Sequence, residues 1–237
     1  MALITFRRQR LWTAVFSIAL AVLVLVNGLY LAADQVQKAD MALLQGRVIA
    51  VDAGHGGIDD GATANRVTEK DINLSIACKL RDILSSHGAQ VVMTRDGDID
   101  YYTRGKGGKR NDLLHRVALI NESTAELFVS IHANASRSRV RPGAQVYYSA
   151  RSDISKQLGK TLQQALQDFP PGNKRQAQED NDILVLNAPN IPGVLIETGF
   201  LSESSEAANL QNSEYQQKMA EMIARGLAYH FGQTVGR

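Results

Sequence analysis

Cysteine is almost missing from this chain of 237 residues: Cys78 stands alone, so no internal disulfide can form and the fold cannot rest on covalent staples. Charge of one sign is missing too. Setting aside Arg7, Arg8 and Arg10, 23 of the 26 Lys and Arg remain against 24 Asp and Glu, a net charge near −1. A body so balanced has no bulk attraction for polyanions, and nothing in it points to nucleic acid. No internal repeat is present. The glycines after the first apolar run do not give G-x-G-x-x-G, because position 59 is Asp, and the next helical pattern starts about a dozen residues later instead of at once. GKGGKR at 105–110 lacks the spacing and the Ser/Thr of a phosphate loop, and no G-x-S-x-G elbow occurs. Phosphate cradling and serine-triad chemistry therefore lack their sequence supports. Cys78 falls inside a helical pattern and reads as a small core residue.

One long stretch lacks charge altogether. Leu11 to Ala33 carries only Thr13, Ser17 and Asn27 as clearly polar side chains, and follows the three arginines. At about 1.5 Å per residue, a helix of that length covers a hydrocarbon core of roughly 30 Å. Trp12 and Tyr30 stand near its ends, where amphipathic rings favour the interface. The pattern predicts a signal-anchor with the arginines cytoplasmic and everything after Ala33 outside. A cleaved signal peptide is the competing reading, but Leu31-Ala32-Ala33 is a poor cleavage site and the apolar run is long for one. Residues 34–45 read as a short polar connector, and residues 46–237 as one domain, long enough to bury a core unaided.

From Gly46 onward, strand-like and helix-like segments alternate. RVIAVDAG, QVVMTR, LFVSIHAN, AQVYYSA and GVLIETGF are apolar runs rich in β-branched residues. Between them, Ile72, Ile76, Leu80 and Ile83 form one helical face, opened by a Thr68/Asp71 capping box and closed by His87-Gly88. Further helices are expected at about 112–122, 153–168 and 213–231. This is an α/β pattern with a largely parallel sheet between helices. Residues 96–110 and 170–182 read as loops, the first long enough to wall a groove.

Ligands in open α/β sheets gather at the carboxyl ends of the strands. His55, His132 and Glu197 each close one of the apolar runs. Each has a plain alternative: a histidine at a strand end can simply bond backbone, and a glutamate there can cap the next element. Three at one sheet edge favour a site. Glu69 begins the first helix, where a carboxylate suits the helix dipole, and the glycine loop could return it to the same edge. His55, Glu69 and His132 would then make a His₂Glu set, a zinc site with a fourth position for water, and Glu197 would serve as general base and then acid. His87, His115 and His230 read as structural or surface residues.

The stretches VDAGHGGIDDGA, TEKDINL, MTRDGD, RVALIN, SIHANA and VLIETGFLSESSEA, in that order over residues 46–232, resemble the zinc-dependent N-acetylmuramoyl-L-alanine amidases of bacterial cell walls. YYTRGKGGKRNDLLHR and the compact run from SIHANA to ETGF resemble the germination-specific spore-cortex branch. The resemblance implies a mixed, mainly parallel six-stranded sheet flanked by helices. It implies His55, Glu69 and His132 as ligands of one Zn²⁺ and Glu197 as the catalytic carboxylate. It further implies cleavage of the amide between the lactyl group of muramic acid and L-alanine in peptidoglycan, coupled in the cortex to a deacetylase that completes muramic lactam. Only 64 residues separate His132 from Glu197, so no self-blocking inserted helix is expected, while an activating protein partner remains compatible. Arg95 and Asn134 are candidate substrate contacts; Arg116 has no assigned role.

Overall fold

The computed structural model of the chain describes residue 12 and residues 15–24, 35–102, 107–136, 138 and 141–234. Residues 15–24 are helical. Among the described residues no helix is long and apolar enough to cross a membrane. The three arginines and over half of the apolar run lie outside the described residues, and so, with them, does the signal-anchor expectation.

Strands β1 (Val48–Ala53), β2 (Thr63–Ala64), β3 (Val67–Thr68), β4 (Gln90–Met93), β5 (Leu127–Asn134), β6 (Gln145–Tyr148), β7 (Gln178–Glu179) and β8 (Gly193–Phe200) follow in chain order. Six of them form one sheet in the order β4-β1-β5-β8-β6-β7; β2 and β3 form a separate hairpin. Within the sheet only the β6–β8 pair is antiparallel. The helices are α1 (Glu69–Ser86), α2 (Gly108–Glu122), α3 (Asp153–Ala165), α4 (Leu184–Asn187), α5 (Ser204–Gln211) and α6 (Ser213–Thr234). The sheet is therefore mixed and flanked by helices, as expected, with two-residue β7 inside the segment read as loop.

The two faces follow from the alternation of side chains along a strand. Ile49, Val51 and Ala53 of β1, Val129 and Ile131 of β5, and Val194 and Ile196 of β8 point one way, into the main core with α1, α3 and α6. Ala50, Phe128 and Leu195 point the other way, into a smaller core with Ile120 of α2 and Val185 and Leu186 of α4. On this second face the next positions along the strands are Asp52, Ser130 and His132, with Glu197 paired to His132 across β5–β8. The apolar row thus gives way to polar residues as the strands reach their carboxyl ends.

Three local expectations change. Thr68 is the N-cap of α1 but makes no side-chain cap bond. The first amides of the helix instead donate to carbonyls of the glycine loop, Glu69 N to Ala62 O at 2.9 Å and Lys70 N to Asp60 O at 3.2 Å. The 34–45 segment carries a 3₁₀ turn (Met41–Leu44), capped by Asp40, whose Leu44 is buried in the main core. Arg225 of α6 donates to Gln37 O at 3.0 Å, so this stretch packs on the domain's last helix. Helix α2 starts four residues before the expected 112, and α3 ends three before 168.

Candidate active site

His55 leaves β1 in the left-handed region, with φ of 61°. That conformation is uncommon for a bulky side chain and persists only where surroundings hold it. Two buried arginines do the holding. Arg95 Nε and Arg116 Nη1 both donate to Ala53 O, at 2.8 and 2.6 Å. Arg95 Nη2 reaches Gly54 O at 2.9 Å, and Arg116 Nη2 reaches His55 O at 2.5 Å. Three successive carbonyls are thus fixed by guanidinium groups, and the imidazole is turned over the sheet edge.

Glu69 meets both histidines. Its Oε1 lies 3.1 Å from His55 Nε2 and 3.0 Å from His132 Nδ1. Ala133 N and Asn73 Nδ2 also approach Oε1, while Ala62 N donates to Oε2 at 2.8 Å. Burial alone would raise the Glu69 carboxyl, but the hydrogen bonds from His132 and His55 outweigh it and hold the group well below the ordinary carboxylate range. His132 is shifted the other way: burial opposes its charge, and Glu69 more than compensates, raising it. Two glycines make this convergence possible. A Cβ on Gly54 would stand 2.3 Å from His132 Cε1, and one on Gly61 would stand 2.5 Å from Glu69 Oε2, at a φ of +66°.

Glu197 sits one strand over, opposite His132 on β5 and Gln145 on β6. Its Oε2 is shut off from solvent and has no hydrogen-bond partner. Burial pushes its carboxyl up to about 7, helped by Glu69 and opposed by His132 and His55. An unsatisfied buried polar atom is costly, and one at a sheet edge among titratable groups is a candidate functional position.

Beneath the site, Arg116 and Asp52 form an ion pair at 3.1 Å with both side chains about 1% exposed. Asp112 binds Arg116 Nε at 2.8 Å, and Thr94 and Ser130 donate to Asp52 at 2.6 and 2.5 Å. Burial opposes the Asp52 charge, yet Arg116, His132, Ser130 and Thr94 hold its carboxyl below its ordinary value. Beside the site, His55 Nδ1 faces Asp59 Oδ2 at 2.8 Å, and Lys109 Nζ reaches the same oxygen at 2.9 Å.

His55, Glu69 and His132 therefore meet, and Glu197 stands opposite His132 on the neighbouring strand. The two substrate candidates fare differently. Arg95 is 2% exposed and gives four of its five N–H donors to the carbonyls of Ala53, Gly54, Lys70 and Gly97, so it braces the His55 loop. Asn134 ends β5 beyond a register shift, its carbonyl accepting from Leu201 N at 2.7 Å. Of the other histidines, His87 bonds Ile83 O, His115 stacks on Tyr101, and His230 is buried. Asp52, Asn73, Asp59 and Lys109 were not anticipated. Only Asp59 left a trace in the sequence, as a carboxylate four residues past His55 inside the glycine loop.

A carboxylate held between two histidines at the carboxyl edge of a mainly parallel sheet, with a second buried carboxyl beside it, defines a hydrolytic α/β enzyme. The three ligand atoms of His55, Glu69 and His132 lie within 4.8 Å of one another, close enough to hold one metal ion. Residues 49–229 match the N-acetylmuramoyl-L-alanine amidase family, and the chain belongs to it. It is 40% identical over 192 residues to the germination-specific N-acetylmuramoyl-L-alanine amidase of Bacillus subtilis, a match covering 79% of this chain and 81% of that one. The CwlD amidase from Clostridioides difficile, solved in complex with the GerS lipoprotein, has a similar fold with a TM-score of 0.75 at 38% identity, over 79% of this chain and all of that one. An N-acetylmuramoyl-L-alanine amidase from Clostridium difficile 630 gives 0.70 at 32%, over 79% and 98%. The chain is thus an amidase acting on peptidoglycan.

Proposed function

We propose that the chain is a zinc-dependent amidase that cuts between the lactyl group of N-acetylmuramic acid and L-alanine of the stem peptide. The observation that carries this reading is the junction of His55 Nε2 and His132 Nδ1 on one oxygen of Glu69, beside the unpartnered Oε2 of Glu197. Two imidazoles and one carboxylate are the ligand set of a catalytic zinc that keeps an open position. Bound there, zinc would supply Lewis acidity, making a water acidic near neutral pH and polarising the amide carbonyl. Glu197, opposite His132 across β5–β8, would serve as general base toward a water and then as general acid toward the leaving amine of L-alanine. In the metal-free chain burial raises the Glu197 carboxyl to about 7. Arg95 and Arg116 keep the His55 carbonyl rail fixed, so the imidazole does not reorganise during the reaction.

The likeness to a germination-specific amidase supports a role in spore-cortex maturation, upstream of a deacetylase that closes muramic lactam. The arginine-flanked apolar N-terminus supports attachment to the outer side of the cytoplasmic membrane. The lipoprotein solved with the CwlD amidase supports a protein partner for this chain as well. The test is mass spectrometry of purified peptidoglycan digested by the chain, with zinc and after chelation. Zinc-dependent release of stem peptides with a free N-terminal L-alanine, from glycan left intact, is expected. Cuts inside the stem peptide would instead identify a peptidase.

A further inference from the structure

Lys109, from the basic stretch at 105–110, has no part in the chemistry above, yet it reaches the site. Lys109, the second residue of α2, binds Asp59 through both carboxylate oxygens, at 2.9 and 3.3 Å. Asp59 in turn faces His55 Nδ1 at 2.8 Å, leaving Nε2 of that ring toward Glu69 at 3.1 Å. The turn between them is tight: Gly56 and Asp59 exchange two backbone hydrogen bonds of 3.0 Å, and Gly61 N donates to Asp59 Oδ1 at 3.3 Å.

Building on the zinc reading of the site, we propose that Asp59 is a positioning residue for the metal centre, and that Lys109 acts through it. A histidine ligand is fixed in ring orientation and tautomer by what its other nitrogen bonds, and a carboxylate there also makes the ligating nitrogen more basic. Asp59 keeps the proton of His55 on Nδ1, so the lone pair of Nε2 faces the ligand cluster. Lys109 pins the carboxylate from the far side. Asp59 is 20% exposed and Lys109 54%, so the carboxylate carries most of the effect and the exposed ammonium a screened share.

The experiment is a zinc competition titration against a chromogenic chelator, with the full-length chain, alongside thermal unfolding of the metal-free protein. Asp59→Ala is expected to weaken zinc binding roughly 10- to 100-fold, and Asp59→Asn, whose amide oxygen still accepts from Nδ1–H, to recover part of that loss. Lys109→Met is expected to weaken it roughly two- to five-fold, and to have no further effect in the Asp59→Ala background. The metal-free unfolding midpoint is expected to change little in all of them, which a residue that only closes the turn would not allow. Unchanged zinc affinity in Asp59→Ala would overturn the proposal. An equal Lys109→Met effect with and without Asp59 would overturn the role given to Lys109. No zinc binding by the unaltered chain would overturn the metal reading itself, a failure distinguishable from the other two.

Discussion

Replacing Arg116 by Met tests the support beneath the site. The guanidinium is about 1% exposed and donates to Asp52, Asp112, Ala53 O and His55 O. Methionine fills much of the volume but leaves the buried Asp52 carboxylate with only Thr94 and Ser130, and frees the carbonyls that hold the His55 turn. Breaking a buried ion pair from one side costs about 3–5 kcal/mol. In a domain of this size that lowers the unfolding midpoint by roughly 6–20 °C. The pH dependence carries a sign. Asp52 is held below its ordinary 3.8 in the folded chain, so its stabilisation is present above that value and is lost as pH falls through the folded value. Without Arg116, burial is opposed only by His132, Ser130 and Thr94, so the carboxyl moves up and relieves its penalty by taking a proton as pH falls. Urea unfolding of both metal-free chains should therefore show the widest gap at neutral pH and a narrowing as pH falls toward 4. Adding Asp52→Asn should recover part of the loss. A loss under about 1 kcal/mol, or a gap that widens on acidification, would refute this account of the buried pair.

Gly61→Ala places a methyl group 2.5 Å from Glu69 Oε2 in a left-handed conformation, so zinc affinity should fall at least tenfold, about 1.4 kcal/mol, while the fold persists by circular dichroism. His55→Ala removes one of three ligands and should leave the purified chain without stoichiometric zinc by elemental analysis; retained zinc would remove His55 from the site. In metal-free protein, Glu197 carries a carboxyl raised from 4.5 to about 7 by burial, so its charged form is penalised as pH rises through that window. Glu197→Gln should then be the more stable chain above pH 7, by up to about 3 kcal/mol, with the gap closing below pH 4.5 in denaturant titrations.

What could be read from the sequence was what alternation and strand ends encode. His55, His132 and Glu197 were visible because each closes an apolar run, and in a mainly parallel sheet those ends share one edge. Glu69 was visible as the first carboxylate of a helix that follows a glycine loop. The hairpin that returns the chain was not: its two turn residues, Asn65 and Arg66, both adopt positive φ, but Asn-Arg lacks the glycine that usually announces such a turn. Helix α5 escaped notice because eight residues with only three buried positions give too short a period to detect. The network under the site joins Asp52, Thr94, Arg116 and Ser130 from three strand segments and a helix, up to 78 residues apart. No local pattern signals such pairings. The bracing contacts of Arg95 were hidden for the same reason, since a strand-end arginine looks alike whether it faces substrate or backbone carbonyls.

The central claim is that three side chains hold the metal and a fourth moves the proton. The rate at which zinc-loaded Glu197→Gln releases free N-terminal L-alanine from peptidoglycan tests it most directly. The amide keeps the shape of the carboxyl but cannot accept the proton, so with one zinc per chain retained the rate should fall by about 10²–10⁴. Turnover equal to that of the unaltered enzyme would contradict the assignment of Glu197.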